Sequence, residues 1–407
     1  MRPRSCGLQV VLSCVVLGTL ALGTIAATGC RSGDGHAATA EVLVGAAWPW
    51  QARASMLYGR GLDLAVDEVN ATGGIGGRRL RILRVDDHES VTDGRLAAQQ
   101  LAKQPGIVAV IGHLQSYVSV PAAAIYDLAG LVMIAPATTD PELTSHGYGR
   151  VFRTIFTDPQ VGRRLADYAV RHGLRHAAIY YMRNAYGRNL ANAFEEHLTE
   201  LGASVIDRQS YDPTQSVTDL TTADIVHGWK ARADIDVVLV AAEPEQGAVF
   251  LRQMHAAGLT ATVLGGDALG TPELLEKAGP AAERLVVATP YHPDASTAAA
   301  RAFRTAFEKR YGIAPDATAA LGYDAVHVLA SAMRDAGSTA PDRVAAALHA
   351  AHGWAGATGE LAFDAKGNLA TAPVMLAIVQ SGRFAYLGDD AAAAPRVIAT
   401  ARQPAAP

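Results

Sequence analysis

Ile107-Val108-Ala109-Val110-Ile111, followed by Gly112-His113-Leu114-Gln115-Ser116, is the stretch that decides the fold class. Five apolar residues in a row carry no polar alternation, so the run reads as a strand of a parallel sheet covered on both faces. Just beyond it, Pro121 sits where a first helical turn would begin, and Ala124, Ile125 and Leu128 form the expected inner stripe of that helix. Leu131 to Ile134 is the next strand. Working backward, Leu96 and Leu101 mark a helix and Leu80 to Val85 a strand. Before them, Leu62, Ala65, Val66 and Val69 recur at helical spacing until Gly73-Gly74 stops them. Val42-Leu43-Val44 is the first short strand. Strictly alternating strands and helices of this kind build a doubly wound α/β sheet.

Forward of Asp158 the pattern restarts. Ala177 to Tyr181 is a strand, Leu190 to Leu201 a helix ended by Gly202, and Val205-Ile206 opens another strand. Ile235 to Val240 is fully apolar, with a helix behind it through Phe250 and Met254 to Gly258. Val263-Leu264 and Leu285-Val286-Val287 complete a second sheet. Helices return at Ala302 to Tyr311, Ala319 to Ala336 and Val344 to Ala350. The last strands are Gly359 to Phe363, Pro373 to Val379 and Phe384 to Leu387.

The length, 407 residues, suits two such α/β lobes better than one core. The formal charge is −4, and losing residues 1–29 removes Arg2 and Arg4 to leave −6. Nothing supplies the basic face that nucleic acid would need. At the N-terminus, Arg2 and Arg4 precede an apolar run from Leu8 to Ala27, a charged region followed by a hydrophobic one as in an export signal. The run ends in Ala27-Thr28-Gly29-Cys30, which resembles the lipobox of bacterial lipoproteins, although lipoboxes usually carry Leu at the position of Ala27. Residues 1–29 are therefore read as a signal peptide and Cys30 as the lipidated first mature residue. The alternatives are a plain signal peptide or an uncleaved membrane anchor. Residues 30–41, rich in Gly, Ala, Ser and Thr, read as a flexible tether, and 391–407 as a disordered tail. Cys6 and Cys14 fall inside the signal, so the mature fold holds no cysteine for a disulfide, a metal site or a thiol nucleophile.

A set of ordered motifs then points to a family. Gly73-Gly74-Ile75-Gly76-Gly77 after Val69-Asn70-Ala71, Ile111 to Ser116, and Ala135-Pro136-Ala137-Thr138-Thr139-Asp140-Pro141-Glu142-Leu143-Thr144 are the first three. Phe152-Arg153-Thr154 with Asp158, Tyr186-Gly187, Tyr323-Asp324-Ala325 and Phe363-Asp364-Ala365-Lys366-Gly367 follow in order. From about residue 42 to 388 the chain resembles the branched-chain amino-acid-binding receptors of ABC importers. These have the type I periplasmic-binding-protein fold of two doubly wound parallel-sheet lobes joined by a three-strand hinge. The resemblance implies a first lobe of 41–157 plus 291–359 and a second of 158–290 plus 360–390, closing as hinged bodies around a ligand.

Parallel sheets bind ligands outside the carboxyl ends of their strands, and several candidate residues fall there. Ser116 follows Ile107–Ile111, and Ala137, Thr138 and Thr139 follow Leu131–Ile134. A hydroxyl beside free N–H groups at a helix N-terminus suits a carboxylate. The resemblance implies that Ser116 and the threonines hold the ligand's α-carboxylate, the plainer alternative being an N-cap or a turn. An ammonium needs carboxylates in a dry cleft. Asp267, after Val263–Leu264, occupies the family's acidic position for the amino group. Glu243, after Ile235–Val240, is either a second acidic contact or a solvated loop residue before Pro244. Tyr58 and Tyr186 match cleft tyrosines of the family, Tyr186 having the alternative of a surface turn before Gly187. The expected partners are a small ligand such as an amino acid, ABC permease subunits, and a membrane through the lipid anchor alone. The chain is placed outside the cytoplasm, on the periplasmic or cell-surface side of a membrane.

Two departures bear on the ligand. Trp48-Pro49-Trp50-Gln51-Ala52-Arg53 is longer than the family's loop before Tyr58, and Gln115 stands where some relatives carry a disulfide cysteine. The family also takes aromatic acids, amides and urea, and a sensory receptor of the same fold would look alike. No enzyme is indicated. Gly73–Gly77 follows a helix and leads into a strand, the reverse of a dinucleotide loop. The sequence has no G-x-S-x-G or H-E-x-x-H motif, and His88 and His292-Pro293-Asp294 are too isolated for a metal or a triad. No catalytic residue, cofactor or metal is therefore expected.

Overall fold

The computed structural model describes residues 41–214, 219–232, 234–291, 293, 297–351 and 353–387. The signal, the lipidation site Cys30, nearly all of the tether, the tail and the His292/Asp294 pair lie outside the described residues.

The apolar runs become strands of two separate sheets. Five parallel strands make the first: β1 (Val42–Trp48), β2 (Leu80–Asp86), β3 (Ile107–Gly112), β4 (Val132–Ala135) and β5 (Val151–Arg153), in the order β2-β1-β3-β4-β5. Helices α1 (Tyr58–Ala71), α2 (Val91–Lys103) and α3 (Ser116–Leu128) connect the first four. Successive strand residues serve opposite faces. Val44, Ala46, Ala109, Ile111, Val132 and Ile134 pack under α1. Leu43, Ala47, Val110, Met133 and Ala135 pack under α2 and α3. Both faces of β1, β3 and β4 are covered, which is why those runs are apolar throughout.

The second sheet repeats the winding after α4 (Asp158–Arg171). It holds β6 (His176–Met182), α5 (Ala185–Glu200), β7 (Ser204–Tyr211), α6 (Asp219–Lys230), β8 (Val237–Ala241), α7 (Pro244–Ala257), β9 (Thr262–Gly265), α8 (Pro272–Ala278) and β10 (Val286–Thr289). The chain then returns to the first sheet as α9 (Ala298–Tyr311), α10 (Ala317–Asp335) and α11 (Pro341–Ala350), and as the small pair β11 (Trp354–Ala355) and β12 (Glu360–Leu361). Its last strands, β13 (Met375–Gln380) and β14 (Arg383–Leu387), add antiparallel to β10. The full order is β14-β13-β10-β9-β8-β6-β7.

Three expectations are corrected. Helix α3 begins at Ser116, so Pro121 lies inside it. Its inner face is Val118, Ser119, Ala122, Ala123 and Tyr126, whereas Ala124 is exposed and Leu128 is 90% exposed. Ala124 and Leu128 therefore lie on the solvent side of α3. The expected strand Gly359–Phe363 shrinks to the two residues of β12. The change of sheet near residue 359 also comes later. Leu361, Phe363 and Leu369 still pack in the first core, and Gly367 O accepts from Arg153 N at 2.8 Å. The crossing therefore falls between Leu369 and Met375.

Candidate ligand-binding cleft

In both sheets the strand order reverses direction beside the first strand, between β1 and β3 and between β6 and β8. Doubly wound sheets open a crevice at such a point, at the carboxyl ends of the strands. Here the two crevices share one cleft. Ser116, Leu114 and Gln115 follow β3, and Ala137 and Thr139 follow β4. From the other sheet come Tyr186 after β6, Glu243 and Pro244 after β8, and Asp267 and Ala268 after β9. Met56, Ile155 and Leu321 add apolar walls, and the cavity between them measures about 80 Å³.

Backbone geometry explains how each side chain is presented. Ser116 is the first residue of α3, with Gln115 at the N-cap, so the hydroxyl sits among N–H groups that the helix does not pair. The β4 loop is held by Arg153, which is fully buried. Its Nη1 donates to Thr138 O at 2.8 Å and Asp140 O at 2.7 Å, and its Nε donates to Asn368 Oδ1 at 3.1 Å. Burial lowers the Arg153 pKa to about 10, with Asp158, Asp140 and Asp364 opposing the fall. The loop before α3 has a comparable support. His113 is wholly buried, with Nδ1 2.7 Å from Asp87 Oδ2 and Nε2 3.1 Å from Tyr126 Oη.

The acidic side of the cleft is poorly satisfied, which is informative. Asp267 Oδ1 is buried with no hydrogen-bond partner. Burial lifts this carboxyl to about 6, although its own backbone N–H and the Tyr186 hydroxyl favour the charged form, and Glu243 pushes it further up. Burial also holds the Tyr186 hydroxyl well above its ordinary range, with Asp267 and Asp158 adding to the rise. Tyr186 Oη accepts from Ala268 N at 3.4 Å, and a Cβ on Gly266 would lie 2.2 Å from that oxygen. Gly266 is thus what lets the phenol reach this wall. Nearby, both oxygens of Asp158 are buried and unpaired, and burial raises that carboxyl far above its usual value.

Six of the eight residues singled out from the sequence therefore share one cavity: Ser116, Ala137, Thr139, Tyr186, Glu243 and Asp267. The other two do not line it. Thr138 is buried behind the loop, its Oγ1 donating to Ser119 Oγ at 2.5 Å. Tyr58 is buried under Trp48, the last residue of β1, their rings stacked at 3.7 Å, and Trp50 of the following loop lies 5.7 Å from it. Glu243 is not a solvated loop residue. It stands at the N-cap position of α7, and its side chain, turned to the loop before α1, meets Arg53 Nη2 at 2.9 Å. Arg153, His113 and Asp87 had no assigned part. A charged residue inside an apolar strand, Val151-Phe152-Arg153, was the available signal for the first. Among the described residues no cluster of three or more His, Cys, Asp or Glu could hold a metal ion.

The family described as periplasmic binding protein matches residues 50–383. The chain is 31% identical over 340 residues to "Leu/Ile/Val-binding protein homolog 1" of Brucella suis, covering 82% of this chain and 89% of that one. It is 30% identical over 341 residues to an "Amino acid binding protein" of Pseudomonas aeruginosa, covering 82% and 88%. Among solved structures, an ABC transporter substrate-binding protein from Desulfitobacterium hafniense in complex with Leu superposes with a TM-score of 0.77. It is 36% identical and covers 86% of this chain and 100% of that one.

Proposed function

The chain belongs to the periplasmic binding protein family, whose members here are binding proteins and not enzymes, and from that premise we propose that it captures a neutral aliphatic amino acid outside the cytoplasm and delivers it to an ABC importer. The observation that carries the reading is the unpaired, buried Asp267 Oδ1 on a wall that shares its cavity with Ser116 and Thr139. An orphaned carboxylate oxygen in a dry site costs free energy until a cation meets it. An ammonium placed there and a carboxylate at the α3 N-terminus describe an α-amino acid.

The remaining lining limits the side chain. Met56, Leu114, Ile155 and Leu321 favour an apolar group. An aromatic acid without an amino group could place its carboxylate at the α3 N-terminus but would leave the buried Asp267 Oδ1 without a cation. The relatives named for leucine, isoleucine and valine are consistent with this class. On this reading residues 41–157 with 291–369 form the first lobe and 158–290 with 375–387 the second. Residues 1–29 direct export, and Cys30 carries the lipid that keeps the receptor beside its permease.

Calorimetry with leucine, isoleucine and valine, against the des-amino analogue of leucine and its amide, tests the proposal. At least one of the three amino acids binds tightly and both analogues bind far more weakly. If the des-amino acid or the amide binds as well as the best amino acid, the amino-acid reading is wrong.

A further inference from the structure

The family resemblance accounts for the cleft walls but not for Arg53, which comes from the longer loop between β1 and α1. The loop is firmly placed. Arg53 N donates to Pro49 O at 2.9 Å, Trp50 Nε1 donates to Val85 O at 3.1 Å, and the Arg84 guanidinium stacks over the Trp50 ring at 4.7 Å. From there the Arg53 side chain, 11% exposed, reaches across to the opposite lobe. Its Nη2 lies 2.9 Å from Glu243 Oε2 and its Nη1 3.3 Å from Glu273 Oε2, while Nε pairs with Glu89 on its own lobe.

The three carboxylates are not equally dependent on it. Glu273 is also 3.1 Å from Lys277 Nζ, and Glu89 also accepts from Gln115 Nε2 at 3.3 Å. Glu243 lines the cavity, and among the described residues Arg53 is the cation at ion-pair distance from it. Without Arg53 the cavity would present two carboxylates, Glu243 and Asp267, from the ends of adjacent strands. A buried acid that loses its partner is strongly unfavourable as the anion and is relieved by a proton or by another cation, such as a second ammonium on the ligand.

We propose that Arg53 determines the charge specificity of the cleft: by bridging the lobes and neutralising Glu243, it leaves a place for one ammonium and turns away ligands carrying a second cation. This rests on the amino-acid reading above. The chemical class excluded is the basic amino acids, whose side-chain ammonium would otherwise find Glu243. The guanidinium is suited to the task because it can meet several carboxylates at once in a fixed geometry.

The test is calorimetry with leucine and lysine on the full-length mature protein and three variants. Wild type prefers leucine. Arg53→Gln narrows that preference about tenfold or more, since an unpaired buried carboxylate now favours lysine. Arg53→Gln/Glu243→Gln restores the preference, because the uncovered acid is gone. Arg53→Lys keeps a cation beside Glu243 but cannot meet all three carboxylates at once, so its preference falls between those of wild type and Arg53→Gln. An unchanged preference in Arg53→Gln, or a narrowing that persists in the double variant, overturns the assignment while leaving the ligand class intact. A wild type that binds neither of these, nor isoleucine or valine, overturns the ligand class and this assignment together.

Discussion

Thr139 and Asp267 carry opposite ends of the proposed ligand, and their substitution should be felt differently. A hydrogen bond to a charged group contributes roughly 1.5–3 kcal/mol. Thr139→Val is therefore expected to weaken leucine binding by about ten- to a hundredfold, and Asp267→Asn at least as much. The raised pKa of Asp267 adds a pH signature. An ammonium needs the ionised carboxylate, and the free carboxyl titrates near 6 because burial disfavours its charge. Affinity should be flat above pH 7 and fall as pH drops through 6, by about tenfold at pH 5. Titrations across that range check this, and Asp267→Asn should flatten the profile; equal affinity at pH 7.5 and 5 would remove Asp267 from the ammonium site. These residues were readable in the sequence because loops after apolar strands are where such sheets place ligands. Arg153 and His113 gave less away. Their partners, Thr138 O, Asn368, Asp87 and Tyr126, are brought together only by the tertiary fold.

At the scale of elements, the central strands β1, β3, β4 and β8 are legible because burial on two faces leaves uninterrupted apolar runs, whereas the edge strands β2 and β7 carry charged residues. Short elements are not legible. Strand β5 has three residues and one of them is arginine, so no periodicity can develop. Helix α3 shows how a single marker misleads, since Pro121 sits at its sixth residue and the true start carries no N-cap hydrogen bond from a side chain. The contact between α1 and α10 is decided by small residues. A Cβ on Gly61 would lie 2.0 Å from Ala319 O, and one on Gly322 would lie 2.9 Å from Tyr58 O. The two helix backbones approach too closely for any side chain between them. Gly61→Ala should therefore cost about 1–3 kcal/mol through overpacking, despite alanine's better helix propensity. Thermal unfolding would register a loss of several degrees. A variant as stable as wild type would mean that α1 can move away freely, which the packing of Leu62 and Ala65 beneath it opposes.

For the whole molecule, two lobes that share one cavity should move as bodies. Besides Arg53, Asn189 Nδ2 of the second lobe donates to Asp140 Oδ1 of the first at 3.0 Å, so polar contacts flank the cavity and depend on approach of the lobes. Ligand adds contacts with both walls and favours that approach. Small-angle scattering should give a smaller radius of gyration with saturating ligand than without; identical profiles would count against hinged capture. The anchor has its own test. Cys30→Ser should free the protein from membranes or leave an unprocessed precursor, and a membrane-bound product of mature size would disprove lipidation at Cys30.

The pairing of α1 with α10 has a consequence for how the chain is made. Helix α1 ends at Ala71 and α10 starts at Ala317, so the first lobe is sealed by a segment synthesised long after its own parallel β strands, with β6 to β10 of the second sheet in between. Contacts this distant in sequence close late and slow the search for the native state. While the ribosome is still at work, Leu62, Ala65 and Val69 have no α10 to cover them. A chain in that condition stays pliable. An exporter that threads unfolded polypeptide through a narrow channel would meet it before it can lock. A circular permutant that begins at residue 297 behind the same export signal, with residue 387 joined to residue 41, brings α10 closer to α1 in sequence and should hasten folding and, for the same reason, impair secretion; a permutant that folds faster yet is exported as well as wild type would show that late sealing plays no part in export.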